Sequence, residues 1–252
     1  MTFPLASLFA DAIEFIFVPR ESVTGGVQVG GIGEIAALTA NHMLLSVAGV
    51  AVACVIALPL GLWLGHIGKG EFVAISVSNV GRAVPTLALI AFFISFVGIG
   101  FRNVLLALIL LAIPPLLTNT YVGVRGVSAD AVDAARGMGM SESQIVRRVE
   151  LPLATRSIFG GLQLSAVSVV ATAILGPLAS VDTLGTPIVS VNVYGQAGLL
   201  GAAFVVAALA ILVYVLLTAL QRAATPVGLK VAGHGSRGLL RRIPFLSRTR
   251  ST

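Results

Sequence analysis

The sequence predicts an all-α polytopic membrane protein, on three observations. Only 10% of its 252 residues are charged and 57% are hydrophobic, where soluble domains carry about 25% charged residues. Its mean hydropathy is +1.01, too apolar for a surface that meets water. Five stretches, Met43–Gly65, Ala83–Phe101, Asn103–Val124, Ser157–Val181 and Thr183–Gln221, contain no Asp, Glu, Lys or Arg. Each can supply a spanning helix, which takes roughly 20 mostly apolar residues at 1.5 Å rise.

Taken in order, the first element is the short apolar stretch Phe3–Val18. It lacks a basic start, because no Lys or Arg precedes Arg20, so it is a poor signal peptide. Asp11 and Glu14 would be costly in lipid. Two placements stay open: a helix lying at the outer interface, which is preferred, and a sixth span. The Gly-rich Val23–Gly33 reads as a connector. Gly31-Ile32-Gly33-Glu34-Ile35-Ala36 matches a dinucleotide fingerprint in letters only, with no βαβ context around it. The five core helices are expected at about 43–65, 76–97, 103–124, 157–178 and 198–220. Pro59, Pro85, Pro114, Pro115 and Pro177 should kink these spans or mark their ends. The expected organisation is an external N-terminal segment over 1–40, a membrane domain over 41–222 and a basic tail over 223–252.

Basic residues orient the spans. Lys69, Arg82, five arginines between 125 and 156 and seven basic residues from Arg222 onward fall on one side, while Arg20 and Arg102 fall on the other. Positive charge marks the cytoplasmic face, so the N-terminus is expected outside and the 125–156 loop and the tail inside. The net charge of +6 does not point to nucleic acid, since the interleaved aromatics of such a surface are missing. The basic tail is read as an anchor to anionic lipid.

The most informative polar stretch is Asp130–Pro152. Ser128 or Asp130 can cap a helix whose small and apolar positions Ala131, Ala134, Ala135 and Met138 share one face. Gly139 suits the left-handed residue at a helix C-terminus. Ser141 with Gln144 makes a capping box that starts a second helix carrying Arg147 and Arg148. Pro152 then introduces the next span. Two short helices meeting at a glycine, with small residues on one face, suit close approach by a partner; an ordinary amphipathic loop is the alternative.

This segment resembles a known one. Asp133-Ala134-Ala135, Gly139 and Val149-Glu150-Leu151-Pro152 keep every spacing of the E-A-A-x3-G-x9-I-x-L-P loop of binding-protein-dependent ABC permeases. Asp133 replaces Glu and Val149 replaces Ile. The resemblance implies a type I importer permease core, similar to methionine importers. In it Asp133, Ala134, Ala135, Gly139, Val149, Leu151 and Pro152 would form the coupling loop that docks an ATPase subunit, supported by Arg147 and Arg148. It implies as partners two ATP-binding subunits, a second permease (a copy or a paralogue) and an external solute-binding protein. Leu58-Pro59-Leu60-Gly61, Arg82-Ala83-Val84-Pro85-Thr86-Leu87-Ala88-Leu89 and Ala134-Ala135-Arg136-Gly137-Met138-Gly139-Met140 are similar to the glycine betaine, choline and osmoprotectant branch. The outer loop Ser180-Val181-Asp182-Thr183-Leu184-Gly185 departs from the branch's Gly-Ala-Gly-Gly-Leu-Gly. A small osmoprotectant such as glycine betaine or choline is the implied solute; another small solute such as methionine is the alternative.

No Walker A loop, nucleophile elbow or zinc motif occurs in the chain, so ATP hydrolysis is expected on a separate subunit and no cofactor or metal here. Nearly charge-free spans also argue against a self-sufficient secondary transporter, which places ionisable groups within the membrane. Cys54 reads as a small hydrophobe. His42, His66 and His234 lie far apart with no ligand spacing. Arg82, Pro85 and Asn119 are candidate pathway or gate residues, set against ordinary snorkelling, kinking and interhelical hydrogen bonding.

Overall fold

The computed structural model describes residues 5–72, 76, 81 and 84–225. In chain order its elements are α1 (Leu5–Phe17), a two-stranded antiparallel ribbon of β1 (Pro19–Glu21) and β2 (Gln28–Gly30), α2 (Gly31–Ile67), α3 (Thr86–Val97), α4 (Phe101–Arg125), α5 (Ala129–Gly137), α6 (Glu142–Ile145), α7 (Leu151–Thr172), α8 (Thr186–Val189) and α9 (Val191–Ala224). A π turn over Val146–Glu150 joins α6 to α7, and a 3-10 turn over Ala173–Ala179 extends α7. Glu142–Ala179 is therefore one helical body. With Gly31–Ile67, Phe101–Arg125 and Val191–Ala224 it makes four helices long and apolar enough to cross a membrane; Thr86–Val97 is a shorter apolar helix.

Helix ends depart from the sequence expectations, for local reasons. The helix expected from 43 begins at Gly31, so the boundary placed at 40/41 falls inside α2. Glu34 stabilises this early start, accepting the Gly30 N–H and the Tyr194 hydroxyl at 2.7 Å. The glycine-rich stretch before it is used for turning. Gly30 and Gly31 have φ of +81 and +77, and a Cβ on either would strike Phe15 or Pro19. The expected 76–97 helix is interrupted at Val84–Pro85. Pro85, extended at φ −64 and ψ 126, takes the N-cap position of α3, and its ring disfavours helix at Val84 before it. Most of the expected first part of that span, with Arg82, lies outside the described residues, as does the tail from 226. The last helix runs 191–224 rather than 198–220, with a break at Gly195 (φ 70, ψ −179).

At roughly 20 Å for 13 residues, α1 is too short to cross a hydrocarbon layer of about 30 Å. It lies against α9 instead. Phe9 stacks on Phe204 at 5.9 Å between centroids, and Phe15 is fully buried against Gly198 and Gly201. Arg20 donates to the Asp11 carbonyl at 2.7 Å and sits over the Phe15 ring.

The core is centred on α4, with α2 on one side and α7 on the other. Along α2 the residues Gly49, Ala53, Ala57, Gly61 and Gly65 recur every four positions and are all buried. This small-residue ridge lets the α4 backbone come close. A Cβ on Gly61 would stand 2.7 Å from Thr120 Cβ and 3.1 Å from the Leu117 carbonyl, and one on Gly65 would meet Val124 Cβ at 2.7 Å. In lipid such dispersion contacts, rather than hydrophobic expulsion, hold helices together. The α7 side uses polar pins as well. Ser165 donates to the Ala112 carbonyl at 2.9 Å and Ser157 to the Asn119 carbonyl at 2.7 Å. His42 Nε2 donates to the Val170 carbonyl at 2.9 Å, tying α2 to α7.

Gly61→Val should destabilise the protein by about 1–3 kcal/mol through overpacking, read as a lower apparent unfolding temperature in detergent. Gly33→Ala, where an added Cβ meets nothing within 4 Å, should hold or slightly raise that temperature.

Candidate functional site

One end of the bundle gathers the C-termini of α2 and α4 with α5, α6 and the π turn. Gly68 closes α2 in the left-handed region, and Arg125 at the end of α4 lies beside it. Arg136, Arg147 and Arg148 lie exposed on the segment that follows. Of the positive charge expected on one side, Arg125, Arg136, Arg147 and Arg148 collect at this end of the fold.

The segment folds as a helical hairpin. Ser128 takes the N-cap position of α5, but its side chain makes no capping hydrogen bond. At the other end the chain closes in a Schellman motif. Met140 N–H donates to the Ala135 carbonyl at 3.2 Å and Gly139 N–H to the Arg136 carbonyl at 2.9 Å. Gly139 has φ +80, and an added Cβ would meet nothing within 4 Å. The Ser141–Gln144 capping box is present, with Ser141 N–H donating to Gln144 Oε1 at 2.9 Å.

The second helix differs from the expectation of a separate short element before the span. It continues through the π turn into α7, and Pro152 sits in the first turn of α7 rather than breaking the chain. The wider turn accounts for this. Leu151 N–H reaches back five residues to the Val146 carbonyl, which loosens the rung where a proline ring would otherwise clash with the carbonyl four residues earlier.

Burial divides the expected docking residues. Asp133, Ala134, Gly139, Arg147, Arg148 and Leu151 are exposed, Val149 and Pro152 half-buried. Met138, next to the turn, is 72% exposed. Ala135 is turned inward and buried, as is Ile145, so Ala135 supports the hairpin from within.

Asp133 is engaged by Arg136 one turn on at 3.3 Å, and Arg136 also grips Glu142 through Nε at 3.1 Å and Nη2 at 3.2 Å. Hydrogen bonding from Arg136 holds the Glu142 carboxyl below the usual carboxylate range. Glu142 reaches His66 Nε2 at 3.1 Å, and His66 Nδ1 faces Glu150 at 2.9 Å. Sequence reasoning missed His66, Glu142 and Glu150. The available signal was Glu150, a carboxylate between Val149 and Leu151 where an apolar helix begins, since a buried acid needs a partner.

The candidate pathway residues separate. Pro85 lines a cavity of about 580 Å³ with Pro114, Pro115, Leu164 and Ser168. Asn119 is used between helices, donating to the Pro115 carbonyl at 2.8 Å and packed where Gly161 leaves room. Arg82 lies outside the described residues. At the opposite end of the bundle, Ser180 adopts φ 57, the left-handed conformation that glycine serves most easily. Leu184 and Gly185 are buried there, and a Cβ on Gly185 would collide with the Ile174 backbone.

Residues 57–226 match the family model described as binding-protein-dependent transport system inner membrane component. The chain belongs to this family. It is a membrane-embedded transport permease subunit. It is 34% identical over 205 residues to the choline transport system permease protein OpuBB of Bacillus subtilis, covering 81% of this chain and 94% of that one. It is 36% identical to the carnitine transport permease protein OpuCB of Listeria monocytogenes, covering 78% and 91%. A solved inward-facing structure of the MetNI methionine ABC transporter superposes with a TM-score of 0.69 at 19% identity, over 77% of this chain and 98% of that one. This last likeness concerns the fold, and it agrees with the expected type I permease core.

Ala135→Leu should overpack the inside of the permease hairpin by about 1–3 kcal/mol. Hydrogen exchange should quicken across 129–145 while α2 and α4 keep their protection.

Proposed function

We propose that this chain is the permease subunit of an ATP-driven importer for a small quaternary-amine osmoprotectant such as choline, glycine betaine or carnitine. ATP is hydrolysed on a separate subunit, present in two copies and docked at the 129–152 hairpin. The single observation that carries the docking assignment is the exposed Met138–Gly139 turn. A side chain 72% exposed stands beside a glycine with no Cβ to keep a partner away, inside a motif that keeps the spacing of permease coupling loops.

Relatives described as choline, carnitine and glycine betaine permeases support the solute class. The spans carry almost no charge to hold a cation, which leaves selectivity to an external solute-binding protein with an aromatic cage. A second permease, a copy or a paralogue, completes the membrane part. The clustering of arginines supports an orientation with the hairpin cytoplasmic and the N-terminus outside. The 223–252 tail, with five arginines after Lys230, serves as a lipid anchor.

The reconstituted complex should take up choline or glycine betaine only with its binding protein and ATP present. Uptake of methionine but of no quaternary amine would overturn the solute assignment and leave the docking assignment standing.

Gly139→Leu tests the docking surface. The left-handed conformation costs a substituted residue about 1–2 kcal/mol, and beyond its two chain neighbours nothing stands within 4 Å of the new Cβ. The variant should therefore insert and fold, yet lose uptake because the side chain meets the ATPase. Normal uptake at normal expression would refute the assignment.

A further inference from the structure

We propose that His66 is the positioning residue that ties the docking hairpin to α2, so that movement of the docked segment is passed to a second spanning helix as well as to its own. This rests on the docking reading above and adds a route of transmission to it.

The geometry is specific. His66 sits in the last turn of α2 with a side chain 14% exposed, and its two ring nitrogens face two different carboxylates. Nδ1 lies 3.0 and 2.9 Å from the two oxygens of Glu150, whose side chain is 5% exposed. Nε2 lies 3.1 Å from Glu142, whose side chain is 59% exposed. An imidazolium donates to both carboxylates at once, whereas a neutral ring donates to one. Glu142 is held in turn by Arg136, which also takes Asp133. The chain of contacts thus runs from the exposed face of α5 to the buried end of α2 without a gap.

The π turn makes the double contact possible. Glu142 and Glu150 stand eight positions apart, which on a regular α-helix leaves them roughly 80° apart around the axis. The wider turn over Val146–Glu150 advances less per residue and swings both carboxylates toward one face. It places Glu150 beside His66 at the point where α7 leaves the hairpin. A buried carboxylate without a partner is strongly unfavourable, so the His66–Glu150 pair resists separation. The exposed Glu142 contact is easier to exchange. Movement of α5 against α6 therefore strains or relieves the outer contact first, while the inner one carries α2 along.

The test uses the complete complex, reconstituted with its ATPase and solute-binding protein. Its readout is solute imported per ATP hydrolysed, a ratio that a merely structural role would not move in an assembled complex. His66→Leu/Glu150→Met replaces the buried pair by apolar side chains without leaving a lone charge. It should retain the ATPase subunit and its hydrolysis but import roughly fivefold less solute per ATP, or lower still. An unchanged ratio in the assembled complex would overturn the proposal. Glu142→Ala cuts the exposed link and leaves the buried pair in place, so folding is not at risk. It should lower the same ratio by a smaller, measurable amount, and an unchanged ratio there would overturn the proposal even if the double variant fails to assemble. Gly139→Leu separates the two claims. Full uptake by that variant removes the docking reading, whereas lost uptake there with unchanged ratios in both link variants removes this proposal alone.

Discussion

Close approach of α2 to α4 is the constraint on which the rest of the fold depends. With Gly49, Ala53, Ala57, Gly61 and Gly65 along one line of α2, the two helices meet nearly backbone to backbone. Thr120 and Val124 occupy the space that larger side chains would fill. This contact leaves the other side of α4 free for α7, which approaches over Gly161 and is pinned by Ser157 and Ser165. In a medium as apolar as the side chains, shape and a few hydrogen bonds must supply the specificity that water supplies elsewhere.

The presence and order of the helices were legible in the sequence, because lipid permits little except charge-free helical runs. The hairpin was legible too, since the Ser141–Gln144 box and the left-handed glycine are local codes read within a few residues. What escaped were features that depend on distant partners. The early start of α2 relies on Glu34 meeting Tyr194, 160 positions away. The His66–Glu150 pair spans 84 positions. Pro85 reads from the sequence as either a kink or a span end, and the fold takes the second option: it stands at the N-cap of α3, as its lack of an N–H and its effect on Val84 require. The four-residue spacing of small residues in α2 was present in the sequence and is a sign of close helix packing.

The loop from Ser180 to Gly185 shows how a permease of this family absorbs variation. Ser180, Asp182 and Thr183 stand where the related pattern has glycines. Ser180 still takes the left-handed conformation, and Thr183 turns its hydroxyl inward, donating to the Ala173 carbonyl at 3.0 Å and accepting the Gly185 N–H at 3.1 Å. A side-chain hydroxyl thus organises a turn that glycines would leave to the backbone alone. Only Leu184 and Gly185 keep the pattern, and both are buried, as Thr183 is.

The uninterrupted body from Glu142 to Ala179 has a mechanical consequence. A close contact with α4, Gly161 against Asn119 and Pro115, falls at the middle of its 38 residues. A stiff rod held at its centre behaves as a seesaw. Each arm is roughly 28 Å long at 1.5 Å per residue, so a tilt of about 5° carries the two tips some ~2.5 Å in opposite directions. One tip bears Glu142 beside the hairpin and the other reaches the turn at Ser180. Whatever draws the first inward pushes the second outward, with a gain close to one.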